Sequence, residues 1–221
     1  MVTTIIKRDG RTAEFNQEKI AEAVEKAEKL TNSRKAAAEK LRNAVLCELR
    51  FLNMPGVDFV VDIKQTGLTS KGRDEIEFLI SANPGEAPKS LSKIASGGEL
   101  SRVMLAIKSI LADSDGVDTM IFDEIDTGVS GKAAMSIAKK LAVIAKNKQV
   151  ICITHLPQLT AMADNHYLIQ KNTDGEMAST TLKELDEEGR ELELARIIDG
   201  GEVTELALSH AKQMLENAKN N

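Results

Sequence analysis

Two short apolar segments, each followed directly by polar residues, constrain the fold of this chain more than any other feature. They lie at Thr119–Phe122 and at 149–154. Between them, residues 132–146 place apolar side chains at helical spacing. A buried strand, a helix and a second buried strand in this order are typical of a parallel β–α–β unit. We therefore predict an α/β fold with a mostly parallel sheet flanked by helices.

Further elements are predicted on both sides of this unit. Leucines and valines at helical spacing indicate either one long helix over 17–52 or two helices with a break at 31–33. Residues 66–73, with two glycines, are expected to connect a pair of antiparallel strands. The other predicted elements are strands over 57–64, 75–81, 167–171 and 179–185, and helices over 99–112, 190–198 and 203–218.

Charge and composition exclude several classes of function. The net charge at pH 7 is −5, and the excess of acidic residues lies after residue 53, so we expect contact with DNA to be indirect at most. Aromatic residues make up only 3% of the chain, which excludes a surface of stacked aromatics. The sequence has no apolar run of the ~20 residues that a membrane helix needs, and its N-terminus lacks the pattern of a signal peptide. Two cysteines are too few for a disulfide framework or a zinc site, and a cytoplasmic protein without membrane contact is predicted.

A pair of glycines precedes the helix predicted over 99–112, in the run Ser96-Gly97-Gly98-Glu99. Glycines allow a ligand to approach the backbone closely, and a helix N-terminus presents unpaired N–H groups with partial positive charge. The Ser96 hydroxyl adds a donor, so the run is a candidate site for a phosphate group. An ordinary glycine-containing helix start would give the same pattern.

Carboxylates and a histidine follow the two apolar strands. Asp123 and Glu124 follow the first strand, as in a Walker B motif, where Asp123 would hold Mg²⁺ and Glu124 would polarise a water. His155 follows the second strand, at the edge where ligands bind in open α/β sheets. An acidic turn and a structural histidine are the simpler interpretations of these residues taken singly.

The order of these motifs resembles one family closely. The runs KIASGGELSRVMLAIKSILA, TMIFDEIDTGVSGKAA and QVICITHLPQLTAMADNHYLIQK look like the C-terminal part of the RecN family of bacterial DNA repair proteins, which are SMC-like relatives of ABC ATPases. The resemblance covers roughly residues 33–218. It implies the C-terminal lobe of an ATPase head, in which residues 33–53 would form the base of a coiled coil.

The resemblance also implies roles for single residues. Ser96, Gly97 and Gly98, with Glu99 beside them, would be the signature motif that contacts ATP held by the opposite head of a dimer. Glu124 would be the catalytic base, Asp123 the magnesium residue, Asp126 the aspartate of the D-loop at the dimer interface, and His155 the switch histidine. The implied setting is repair of DNA double-strand breaks, with ATP and Mg²⁺ as cofactors, in the cytoplasm at the nucleoid.

One expected motif is absent from this sequence. A head of this kind needs a P-loop, G-x-x-x-x-G-K-[ST], and the chain contains none; Gly128 to Ala133 is the nearest string and has the wrong spacing. The family carries its P-loop in an N-terminal lobe. We therefore expect this chain to need a lobe or partner chain that bears a P-loop, and to be inactive as an ATPase by itself.

The first residues resemble a different module. Residues 2–7 and 11–15 are predicted to form a hairpin around Asp9-Gly10, with Asn16 as the cap of the following helix. This stretch is similar to the opening of an ATP-cone, and we divide the chain into a truncated cone over 1–30 and a RecN-like half-head over 31–221. A nucleotide-sensing module that uses Lys7 and Arg8, and a non-catalytic interaction module, remain alternative functions.

Overall fold

The computed structural model describes residues 4–6, 10–14, 16–81, 83, 85–93, 97–112, 116–174 and 177–220. The chain divides into two compact units. The first comprises residues Met1–Leu46 and Gly56–Ser92, and the second comprises Cys47–Pro55 and Lys93–Asn221. Ser96, Lys7, Arg8 and Asp9, which the sequence singles out, lie outside the described residues.

The first unit begins with the predicted hairpin. Strands β1 (Thr4–Ile6) and β2 (Thr12–Glu14) pair antiparallel, with Thr4 opposite Glu14. The side-chain oxygen of Asn16 accepts a hydrogen bond of 3.0 Å from the backbone N–H of Lys19, which confirms Asn16 as the cap of the next helix.

Helix α1 (Gln17–Phe51) is continuous, which decides between the two alternatives left by the sequence. Thr31, at the predicted break, is 1% exposed. Its hydroxyl lies 3.0 Å from the carbonyl of Ala27 in the previous turn and 2.8 Å from the carboxylate of Asp74. A polar residue that satisfies its hydroxyl in this way is compatible with a helix interior. The helix ends before Asn53, whose φ is 61°.

A three-stranded antiparallel sheet completes the first unit. It contains β3 (Asp58–Thr69), β4 (Gly72–Ser81) and β5 (Lys89–Ser90), in that order. The connection predicted over 66–73 is wrong, because β3 continues through an irregularity to Thr69 and pairs there with Gly72. Arg42 of α1 holds the start of β3, donating to the Asp58 carboxylate at 2.9 Å. A 3₁₀ turn covers Leu91–Lys93.

The second unit contains the predicted β–α–β arrangement. Helix α2 (Gly97–Leu111) precedes β6 (Thr119–Phe122), α3 (Gly131–Ala145) and β7 (Gln149–Cys152). Strands β6 and β7 pair in parallel, with Ile121 opposite Ile151, which confirms the unit. In the described part of the chain this parallel sheet has two strands, and the other strand pairs are antiparallel.

The remainder of the second unit is a short helix, a hairpin and a helical pair. These elements are α4 (Pro157–Ala161), β8 (Tyr167–Asp174), β9 (Met177–Glu184), α5 (Glu187–Asp199) and α6 (Glu205–Lys219). The side chains of Asp186 and Thr204 cap α5 and α6 by accepting hydrogen bonds from the backbone N–H groups of Gly189 and Ala207, respectively. Small side chains at Ala195, Ala207 and Ala211 let α5 and α6 pack closely. Within the described residues, no helix is both long and apolar enough to cross a membrane.

Candidate functional site

The turn that follows β6 carries three of the predicted site residues. Asp123 and Glu124 are exposed at the surface, whereas Asp126 is buried. The Asp123 carboxylate accepts a hydrogen bond of 2.9 Å from the backbone N–H of Glu124. Glu124 has a φ of 56°, a conformation that few residues other than glycine adopt. Two exposed carboxyl-bearing residues therefore follow directly after the end of β6.

Two side chains of helix α2 that the sequence did not indicate form hydrogen bonds with this turn. Ser101 donates a hydrogen bond of 3.0 Å to the carbonyl of Asp123. Arg102 donates one of 3.0 Å to the carbonyl of Thr127. The Arg102 side chain is largely buried, and burial lowers the pKa of its guanidinium, which the nearby Glu99 carboxylate opposes. Arg102 follows Glu99 and Ser101 in the polar first turns of α2, and no sequence signal distinguishes it from an exposed residue.

The two glycines at the start of α2 lie against the same turn. A Cβ atom on Gly97 would lie 2.5 Å from a carboxylate oxygen of Glu124, and one on Gly98 would lie 2.9 Å from the carbonyl oxygen of Thr127. The glycines therefore allow the helix start and the acidic turn to approach each other within one chain. They also place the Glu124 carboxylate next to the positive end of the α2 dipole.

Asp126 joins the acidic turn to the end of β7. Its carboxylate accepts a hydrogen bond from the hydroxyl of Thr154 at 2.5 Å and one from the backbone N–H of His155 at 3.0 Å. The imidazole Nδ1 of His155 lies 3.2 Å from the same carboxylate, while the ring remains 76% exposed. After Ser101 and Arg102, Thr154 is a third residue of the site that the sequence did not indicate.

Asp123 and Asp126 also affect a neighbouring thiol. Burial, together with the charges of Asp126 and Asp123, raises the pKa of Cys152 to about 12. Cys152 therefore stays protonated at neutral pH and is a poor nucleophile.

The structure thus brings together most of the residues that the sequence predicted. The start of α2, the acidic turn and the His155 end of β7 form one connected cluster in the second unit. Among the described residues, no three His, Cys, Asp or Glu side chains are grouped to hold a metal ion. Asp123 is an exposed carboxylate of this turn, and Mg²⁺ is usually held by one or two carboxylates together with waters and substrate phosphates.

A groove runs beside this cluster, between α2 and β6. Its volume is about 380 Å³, and its lining combines apolar side chains such as Leu100, Met104 and Phe122 with the polar residues Ser101 and Asp123.

Comparison with known proteins identifies two resemblances. A protein called DNA repair protein RecN from Halalkalibacterium halodurans is 46% identical over 194 residues, which covers 86% of this chain and 34% of that protein. RecN of Bacillus subtilis is 44% identical over 212 residues, covering 89% of this chain and 37% of that protein. Most of the chain resembles part of RecN. It spans about a third of the length of the RecN proteins that it matches, which is consistent with the C-terminal part.

The fold has a counterpart among solved structures. The Smc head domain with a coiled coil and joint from Pyrococcus yayanosii aligns with 80% of this chain and 31% of that protein, at a TM-score of 0.54 and 19% identity. At this identity the likeness concerns the fold alone. It agrees with the predicted α/β head lobe, preceded by a hairpin and a long helix.

The second resemblance concerns the N-terminus. The family described as ATP cone domain matches residues 3–54, a range that includes the hairpin and all of α1. Since the match to the Halalkalibacterium halodurans RecN covers 86% of the chain, the two resemblances overlap within α1. The boundary near residue 30 that we drew from the sequence stays a prediction.

Proposed function

We propose that the chain is the C-terminal half of a RecN-like ATPase head that acts in the repair of DNA double-strand breaks. The observation that carries the proposal is the connected cluster formed by the start of α2, the acidic turn and His155. These are the segments that the family resemblance assigns to the signature motif, the Walker B motif with the D-loop, and the switch histidine. The RecN relatives support the biological setting.

ATP with Mg²⁺ would supply the reacting phosphoryl group in this head. Asp123 would hold the ion, and Glu124, beside it, would polarise the attacking water. Gly97 and Gly98 would offer backbone N–H groups to the phosphate of ATP held by a second head, with Ser96 and Glu99 beside them. Asp126 and His155 would complete the contact between the heads. DNA would be engaged only indirectly, through the assembled protein at the nucleoid.

The proposal requires a polypeptide that bears a P-loop. Catalysis of phosphoryl transfer depends almost entirely on positioning and on stabilisation of charge, and this sequence contains no P-loop to hold the triphosphate in line. We therefore expect the pure chain to show no ATP hydrolysis. Adding the N-terminal lobe of a RecN should produce hydrolysis.

The decisive experiment compares variants in that reconstituted head. Glu124→Gln removes the proposed base and should lower hydrolysis by at least about 100-fold, within the usual range for loss of a general base. Glu216→Gln makes the same chemical change at an exposed position on α6 and should leave the rate unchanged. Full activity of the Glu124→Gln variant, or steady hydrolysis by the pure chain, would contradict the proposal.

A second candidate function is nucleotide sensing through the N-terminus, which the ATP cone match over residues 3–54 favours. Calorimetric titration of the pure chain with Mg-ATP separates the two functions. The half-head alone should bind no nucleotide with micromolar affinity. Micromolar binding that survives Asp123→Ala but is lost when Lys7 and Arg8 are both changed to Ala would establish the sensing module instead.

A further inference from the structure

Two adjacent residues of α2 bind the acidic turn at both of its ends. The Ser101 hydroxyl donates a hydrogen bond of 3.0 Å to the backbone carbonyl of Asp123, and Nη1 of Arg102 donates one of 3.0 Å to the carbonyl of Thr127. Glu124, whose φ is 56°, lies between these two carbonyls in the sequence. The main chain on both sides of this unusual conformation is therefore hydrogen-bonded to the same helix.

Arg102 is suited to hold this turn because its own helix is fixed. The residue is only 9% exposed, although arginine is rarely buried without a partner. The neighbouring residues Val103, Leu105 and Ala106 are completely buried, so this part of α2 is anchored in the core. Thr127, by contrast, is exposed. A guanidinium on a rigid helix can thus determine the position of an exposed turn.

The carbonyl that Arg102 binds belongs to a small network. The backbone N–H of Thr127 donates to the carbonyl of Glu124 at 3.1 Å. Both carbonyls lie against Gly98, where an added Cβ would be 2.9 Å from the oxygen of Thr127 and 3.1 Å from that of Glu124. A hydrogen bond from a charged group is roughly twice as strong as one between neutral groups. The bond from Arg102 should therefore hold the turn more firmly than the neutral bond from Ser101.

We propose that Arg102 is the positioning residue of the acidic turn and holds Glu124 where it acts on the attacking water. Arg102 acts through the backbone between Thr127 and Glu124 and does not itself contact the reacting atoms. The effect on the water rests on the function proposed above, whereas the hydrogen bond to the turn does not. Because a misplacement of about 1 Å can lower a rate by about 100-fold, loss of Arg102 should slow hydrolysis even when Glu124 is present.

The attachment of the turn can be measured in the chain without nucleotide. A guanidinium that donates to a fixed carbonyl rotates slowly, so the Nη–H signals of Arg102 in a ¹H–¹⁵N spectrum should be resolved, whereas those of the exposed Arg50 should be averaged. Arg102→Met keeps the apolar stem, removes the donor and should accelerate amide exchange at Thr127 by at least about tenfold. The amide of Leu208, which donates to the carbonyl of Thr204, is the reference and should exchange as in wild type. Arg50→Met, in the same unit, is the matched control and should change neither amide.

Hydrolysis by the reconstituted head tests the effect on Glu124. Arg102→Met should lower kcat by about 10- to 100-fold, and Arg50→Met should leave it unchanged. In a chain that already carries Glu124→Gln, Arg102→Met should cause no further loss, because a positioning residue acts only through the group that it positions. A role in folding alone would lower the rate in both backgrounds alike.

Three results would overturn the inference. One is a set of averaged Nη–H signals for Arg102 in the wild-type chain, a result that does not depend on the folding of any variant. The second is a folded Arg102→Met chain in which Thr127 exchanges as in wild type, or in which Leu208 is accelerated equally. The third is a further loss of rate when Arg102→Met is added to Glu124→Gln. If Glu124→Gln itself leaves hydrolysis unchanged, the ATPase proposal fails, and the measurements on the chain alone still decide whether Arg102 holds the turn.

Discussion

Gly97 and Gly98 begin the same helix but differ in what an added methyl group would meet. At position 97 the nearest atom is the end of the Glu124 side chain, which is exposed and free to turn away. At position 98 the nearest atoms include the carbonyl oxygens of Thr127 and Glu124, at 2.9 and 3.1 Å. Those backbone atoms are held by the turn and cannot move independently.

Gly98→Ala should therefore lower the free energy of unfolding by about 1–3 kcal/mol, the usual cost of overpacking. Gly97→Ala should change it by no more than about 0.5 kcal/mol, as at an ordinary surface position. Urea unfolding followed by circular dichroism measures both. Gly67→Ala, where a Cβ meets nothing within 4 Å, is the matched control. Equal decreases in the free energy of unfolding for Gly97→Ala and Gly98→Ala would show that α2 does not approach the backbone of the turn closely at Gly98.

The two cysteines should differ in reactivity. Because the thiolate is the reactive form, the raised pKa of about 12 protects Cys152 from alkylation at pH 8, whereas Cys47 is exposed on α1. Brief treatment with iodoacetamide followed by mass spectrometry should find one label, on Cys47. A Cys47→Ser variant should remain unlabelled until the protein is denatured. Rapid labelling of Cys152 in the folded chain would contradict the raised pKa of its thiol.

At the scale of elements, the first unit is held by a polar contact between α1 and the β3–β4 hairpin. Arg34 and Thr31 of α1 both contact the carboxylate of Asp74, at 2.9 and 2.8 Å. Burial of the carboxyl opposes its ionisation, but the hydrogen bonds from Arg34 and Thr31 outweigh it and lower the pKa of Asp74 below its ordinary value. The ionised form is thus favoured in the folded state over the unfolded state.

This lowered pKa predicts a pH-dependent stability. The contribution of Asp74 is fully present above its unfolded pKa of about 3.9 and is lost as the pH falls through the lower folded value. Asp74→Asn should therefore reduce the thermal stability of the chain at pH 7, and the difference from wild type should shrink below a pH of about 4. Glu75→Gln changes an exposed neighbour, and its thermal stability should match that of wild type at both pH values. If the difference in thermal stability between Asp74→Asn and wild type were the same at pH 7 and pH 3, the lowered pKa of Asp74 would be contradicted.

Local patterns predicted the elements better than they predicted the contacts between elements. The helical spacing in α3 is visible in the sequence. Strands β6 and β7, in contrast, were predicted to be buried, whereas Ile121 and Ile151 are 67 and 44% exposed. Strand β7 was also predicted to reach residue 154 but ends at Cys152, because the side chain of Thr154 turns to Asp126. That contact joins residues 28 positions apart, and no local pattern encodes it. The extension of β3 to Thr69 differs in kind, because the Thr69 hydroxyl donates to the carbonyl of Gly72 in a local contact across the turn.

At the scale of the whole molecule, the described sheet leaves an apolar face uncovered. Ile121 and Ile151 are directly paired across β6 and β7, and Ile153 continues the same face. These side chains are 67, 44 and 49% exposed. Apolar clusters of this kind mark interaction surfaces. Since the chain spans about a third of the RecN proteins that it matches, we expect the P-loop lobe of the head to pack on these isoleucines.

Ile121→Lys tests this expectation. Burying one isoleucine contributes about 1.5–3 kcal/mol, so its replacement by a charged residue should weaken binding of a RecN N-terminal lobe by at least about tenfold. The variant itself should fold normally, because the side chain is largely exposed in the chain alone. Leu206→Lys, at an 81% exposed position on α6, is the matched control and should bind as wild type does. Binding is measured by light scattering during size exclusion and by calorimetry. If the lobe bound the Ile121→Lys variant as tightly as wild type, the lobe would not pack on the isoleucines. If the wild-type chain instead formed dimers that Ile121→Lys disrupts, a second copy of the chain would cover this face.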